Sequence, residues 1–192
     1  MLAQHSTPLP DHRVNPCTGD GLIDGSAVVD VQIYTLSCYA RKYSMVLVAN
    51  LVVRAHCARS KTCASDGLHL YNTNVVFDSD GAFIAVYHKA HLFSEQRVIH
   101  GKRVQAQSHR VTFGMLICFD MEFRGMNADP NLLGSEPTMT LLRSGIRHFV
   151  FSSWWVNGSP FLTATSIQQG FSRAYGVALI AANSASSPYN SG

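Results

Sequence analysis

The chain has 192 residues, 46% of them hydrophobic and 14% charged, with a net charge of +3. That length suits one sizeable domain, and that balance excludes an intrinsically disordered chain. The basic residues are scattered rather than gathered among aromatics, which excludes a nucleic-acid reader, and no apolar run reaches the roughly 18 residues of a bilayer span.

Residues 1–30 are rich in Pro, Gly, Asp and Ser and show no sustained period, so they read as loop. They carry neither the basic start nor the apolar stretch of a signal peptide. From 31 to 44, Ile33, Leu36, Ala40 and Tyr43 fall at helical spacing. Residues 45–53 are continuously apolar and β-branched, a buried strand. Residues 54–70, with an Asp66-Gly67 turn signal, read as a surface loop. Short strands follow at 72–77 and 82–88, joined by the hairpin turn Asp78-Ser79-Asp80-Gly81. Residues 93–109 are polar and irregular, and 112–118 is a strand. After a loop at 125–137 come a short helix (138–143), a strand (147–153) that delivers Trp154 and Trp155, a helix (161–174) and a final buried strand (177–182). Apolar strands separated by helices predict an α/β sandwich, and the central hairpin makes its sheet mixed.

Five cysteines are present: Cys17, Cys38, Cys57, Cys63 and Cys118. The first four allow three pairings. The sequence-local one, Cys17 with Cys38 and Cys57 with Cys63, is favoured and implies an oxidising compartment; four reduced thiols are the alternative. The fifth stands alone at the end of a strand-like run, followed by Phe119 and Asp120. A thiol at a strand tip is where a nucleophile belongs, although a cysteine in a strand is more often a core residue. Lys89 follows another strand-like run and has the chemistry to steady an oxyanion. His56, Cys57, Cys63 and His69 match no zinc spacing, so no metal is expected.

These segments, with Tyr71-Asn72-Thr73-Asn74 leading to Tyr87-His88-Lys89, Cys118-Phe119-Asp120, Trp155-Val156-Asn157 and Ala181-Ala182-Asn183, resemble the nitrilase superfamily of carbon–nitrogen hydrolases. Within it they look most like the branch of vanin pantetheinases and biotinidase. The resemblance runs from about residue 17 to 192, so that 1–16 is an irregular or disordered leader and 17–192 a partial carbon–nitrogen hydrolase domain. It implies a nitrilase-like α-β-β-α sandwich that often dimerises and is incomplete at its N-terminus here. It also implies a small-molecule amide substrate, no metal or organic cofactor, and an extracellular location. Pantetheine is the first candidate substrate and biotin amides the second.

Carried onto these positions, the resemblance makes Cys118 the nucleophile, Lys89 the oxyanion-stabilising cation and Glu95 an auxiliary carboxylate. Phe119 lends its backbone N–H, and Trp155 and Asn157 line the pocket. Cys17, Cys38, Cys57 and Cys63 fall where the branch has paired cysteines. The family's general base is a glutamate before the region matching Cys17, whereas no glutamate precedes Glu95 in this sequence. The chain therefore reads as a fragment of such a hydrolase or as an inactive relic that binds a ligand or partner.

Overall fold

A computed structural model describes residues 2–19, 30–57, 63–93, 105–108, 111–122, 137–155 and 163–184. The chain divides into two compact units, Met1–Lys102 and Arg103–Gly192.

The first unit is an antiparallel three-stranded sheet in the order β1 (Leu47–His56), β2 (Leu68–Phe77), β3 (Phe83–His88), with helix α1 (Val31–Tyr43) on one face. α1 starts where the Asp30 side chain accepts from the Gln32 N–H at 2.9 Å, and it ends at Ser44 in the left-handed region. Its buried residues Ile33, Ser37 and Ala40 recur at one-turn spacing. Ile33 and Ala40 pack with Val75, Phe77 and Phe83, flanked by Leu47, Ala49 and Leu51. The β1–β2 hairpin is longer than the sequence suggests. Arg54, Ala55 and His56 pair with Leu70, His69 and Leu68, although these residues lack a strand-like apolar pattern. Backbone pairing, with the Cys57–Cys63 disulfide beyond it, extends the ladder.

The N-terminal residues lack regular strands but are fastened at several points. Thr7 pairs with β1, donating to Val52 O and accepting from the Arg54 N–H at 2.9 and 3.0 Å. Arg13 and Val14 exchange backbone hydrogen bonds with Phe83. Cys17 is bonded to Cys38 on α1.

The second unit is a four-stranded mixed sheet in the order β4 (Gln105–Ser108), β5 (Val111–Ile117), β6 (His148–Ser153), β7 (Ala178–Asn183). β4 runs antiparallel to β5, whereas β5, β6 and β7 are mutually parallel. Helices α2 (Pro137–Arg143) and α3 (Ala164–Tyr175) make the crossovers. The core between helices and sheet gathers Leu116, Leu141, Leu142, Phe149, Phe151, Trp155 and Phe171. Two expectations are corrected here. β4 lies inside the stretch expected to be irregular, because Gln105-Ala106-Gln107-Ser108 carries no apolar signal and is held by pairing to Val111–Gly114. β7 is not buried: Ile180 is 74% exposed, because it points away from the helix-covered core on which its neighbour Leu179 packs.

Two glycines test these packing arguments with opposite signs. A Cβ at Gly81, where φ is +95°, would lie 2.9 Å from the Ser37 carbonyl oxygen of α1. Gly81→Ala is expected to cost about 2–3 kcal/mol through backbone strain and overpacking. Gly170 lies within α3 and a Cβ there meets nothing within 4 Å. Gly170→Ala is expected to stabilise by up to about 1 kcal/mol. Urea midpoints of the two variants, moving in opposite directions, check the pair.

Candidate active site

Parallel strands end at the same edge of a sheet, and ligands of open α/β sheets bind beyond those ends. Ile117 is in register with Ser152, and Ser153 with Asn183. The residues that follow the three strands therefore emerge side by side: Cys118 after β5, Trp154 and Trp155 after β6, Ser184 after β7.

Cys118 lies one residue beyond β5 and opens a 3-10 turn, Cys118–Met121, rather than ending the strand. Its φ is +46°, a region that costs a non-glycine residue about 1–3 kcal/mol. Two contacts hold this turn. The buried Asp120 carboxylate accepts from the Ile117 N–H at 3.0 Å. The Thr138 hydroxyl, in the first turn of α2, donates to the Asp120 carbonyl at 3.0 Å. A sharp turn at a strand end lifts a side chain off the sheet, and Cys118 is half-buried and outside any disulfide. Phe119 follows in the same turn, with its carbonyl accepting from the Glu122 N–H.

Trp155 is buried, its ring 6.5 Å from that of Phe151, whereas Trp154 is 66% exposed. The Asn183 side chain clamps this segment. Its Oδ1 accepts from the Trp155 N–H at 2.8 Å, and its Nδ2 donates to the Trp155 carbonyl at 3.2 Å. Asn183 and Asp120 stand within sequence motifs that attach no role to either. An amide or carboxylate at a strand end announces no hydrogen-bond partner until the register is known.

Lys89 belongs to the first unit. It follows β3, its N–H donates to the Asn72 carbonyl at 2.8 Å, and it is only 2% exposed. An ammonium that buried is far from the solvated surface lysine most sequences would offer. The sheet face opposite α1 is polar nearby. Asn50 donates to the side-chain oxygens of Asn72 and Asn74 at 2.8 and 3.1 Å, and Tyr87 pairs with Asn74 in register. Glu95 and Asn157 lie outside the described residues. The structure thus brings Cys118, Phe119 and Trp155 to one sheet edge and describes Lys89 within the other unit.

Residues 27–140 match the carbon-nitrogen hydrolase family, to which this chain belongs. It is 34% identical to vanin-like protein 1 of Drosophila melanogaster, covering 91% of this chain and 30% of that one. It is 35% identical to a Bos taurus biotinidase (89% and 31%) and 32% identical to a Homo sapiens pantetheine hydrolase (91% and 32%). The chain spans about a third of the length of these curated relatives. A Saccharomyces cerevisiae member of branch 10 of the nitrilase superfamily shares the fold, with a TM-score of 0.62 at 22% identity over 87% of this chain and 56% of that one.

His88, beside Lys89 in sequence, supplies a pH test. Its Nδ1 lies 2.7 Å from the Thr73 hydroxyl and its ring stacks 4.2 Å from Tyr71. Burial lowers its pKa from the ordinary 6.5, because the imidazolium is desolvated. Between that lowered value and 6.5 the unfolded chain binds more protons, so stability is full above the window and falls as pH drops through it. His88→Gln is expected to flatten this part of the profile of urea midpoints between about pH 5 and 7.5. A profile that stays parallel to the parent's refutes the coupling.

Proposed function

We propose that this chain carries the nucleophile of an amide hydrolase acting on linear carbon–nitrogen bonds, with Cys118 as that nucleophile. The observation that supports it most is the positive φ of Cys118 at the end of a parallel strand. Strain of this kind gathers where a side chain must be presented to a ligand.

The Cys118 thiolate attacks the amide carbonyl carbon, forming a C–S bond and an oxyanion. Lys89 stabilises that oxyanion, together with the Phe119 N–H. The C–N bond breaks as the proton lost by the Cys118 thiol passes to the departing amine; water oxygen then bonds to the acyl carbon, the C–S bond breaks, and one water proton returns to the sulfur, releasing the acid and regenerating the thiol. Glu95 acts as the auxiliary carboxylate, and Trp155 and Asn157 line the acyl pocket. The family resemblance supports pantetheine as substrate, giving pantothenate and cysteamine, with biotin amides second. The chemistry needs no metal or organic cofactor. Residues 17–192 form the carbon–nitrogen hydrolase portion, which works in the extracellular space as a homodimer. The two disulfides support an oxidising compartment.

A second reading is a non-catalytic protein that uses the same fold to bind a ligand or partner.

Intact-mass measurement of the chain after exposure to p-nitrophenyl pantothenate separates the two. One acyl adduct is expected on the parent and none on Cys118→Ala, with the unfolding midpoint of the variant unchanged. Lys89→Ala is expected to slow acylation by about 100-fold or more, the usual cost of losing an oxyanion-stabilising group. An inert Cys118 in the folded parent supports the second reading, and an adduct that survives Cys118→Ala removes Cys118 from its role.

A further inference from the structure

We propose that Asn183 is the positioning residue of the acyl pocket: its side-chain amide clamps the backbone of Trp155 and so fixes which way the two tryptophans face. The kinetic part of this inference rests on the reading of Cys118 as nucleophile; the clamp itself does not. Asn183 is the last residue of β7, and its side chain makes four hydrogen bonds. Oδ1 accepts from the Trp155 N–H (2.8 Å), the Ser184 N–H (3.0 Å) and the Ser153 hydroxyl (3.2 Å). Nδ2 donates to the Trp155 carbonyl (3.2 Å).

The two bonds to Trp155 replace, with a side chain, the ladder that β6 and β7 lose once the strands end. Ser153 and Asn183 are the last pair in register. Backbone groups beyond that pair need a partner, because an unpaired buried N–H or C=O costs as much as a lost hydrogen bond. With the backbone fixed at residue 155, strand-like alternation sends the Trp155 ring toward Phe151 and leaves Trp154 outward. Cys118 packs against the same cluster as Trp155, so a shift of this segment reshapes the wall beside the thiol. Asp at position 183 keeps the three acceptor interactions but sets a second acceptor oxygen against the Trp155 carbonyl, where the amide donated. Ala loses all four.

The chain has two tryptophans, both in this segment, so fluorescence reads the clamp directly. In a Trp154→Phe background, Trp155 alone reports. Asn183→Ala is expected to raise the acrylamide quenching constant of Trp155 by about 3-fold and to red-shift its emission, whereas Asn183→Asp moves the same way by a smaller amount. Ser153→Ala, which removes a bond not made to Trp155, is expected to change neither. In saturation kinetics with p-nitrophenyl pantothenate, Asn183→Ala is expected to raise the half-saturation concentration about 10-fold while the limiting acylation rate changes less than about 3-fold. Alkylation of Cys118 by iodoacetamide stays at the parent rate. If Asn183→Ala fails to fold, the Asp variant decides: the clamp predicts a partial rise in Trp155 quenching, and a signal equal to the parent's overturns it. Unchanged quenching in folded Asn183→Ala also overturns the clamp. A fall in the limiting rate equal to the rise in half-saturation would make Asn183 a fold support rather than a pocket positioner. A parent that is not acylated at all strikes the nucleophile reading, while the fluorescence result still stands or falls alone.

Discussion

The level registration of three parallel strands is the constraint on which the site depends. Because Ile117 pairs with Ser152 and Ser153 with Asn183, β5, β6 and β7 finish at one height. Whatever follows them must turn away there, and the proposed nucleophile lies in the first of those turns. The turn after β5 is costly, since it takes Cys118 to φ +46°. That cost is offset by two hydrogen bonds. Asp120 ties the turn back to the strand, and Thr138 ties it to α2. Gly114 permits the same strand to approach its neighbours, since a Cβ there would lie 2.7 Å from the Phe149 ring.

The first unit obeys a different constraint. Its antiparallel sheet has one apolar face, covered by α1, and one face where Asn50, Asn72, Asn74 and Tyr87 are grouped. Asn74 and Lys89 are almost fully buried, and groups of this kind are expensive to remove from water without partners. The asparagine ladder satisfies part of that requirement within the sheet itself. The N-terminal strap and the Cys17–Cys38 bond hold the opposite, helical layer in place. The face opposite α1 is mixed: it buries Leu70 and Val76 as well as Asn74 and Tyr87, with its polar side chains gathered toward Lys89.

Much of this was legible in the sequence, and the reasons for the exceptions are specific. α1 and the strands β1, β3, β5 and β6 announce themselves because burial on one or both faces forces an apolar pattern. β4 is held by backbone pairing alone, so Gln105-Ala106-Gln107-Ser108 offers nothing to read. β7 misleads in the other direction: Ala178-Leu179-Ile180-Ala181 looks buried, yet Ile180 is exposed on an edge strand. Among site residues, Cys118, Lys89 and Trp155 are visible through their chemical type and their motifs. Asn183 and Asp120 act through hydrogen bonds to backbone groups of residues 28 and 3 positions away, and only the register reveals such partners.

The proton inventory distinguishes a hydrolase from a binding protein on the same fold. A thiolate and a nearby cation suffice to form an acyl bond when the leaving group departs as a stable anion. An amine does not leave that way; it must receive a proton as the C–N bond breaks. Asp120 is a poor shuttle because its carboxylate is buried and engaged with the Ile117 N–H. Glu122, the other acid of the nucleophile turn, is solvent-exposed. The carboxylate nearest Cys118 in sequence thus shapes the turn, and an amide hydrolase on this fold needs a proton donor outside that turn. The basicity of the leaving group becomes the variable that exposes the difference. An active ester probes the nucleophile alone, and an amide probes the nucleophile and the proton donor together.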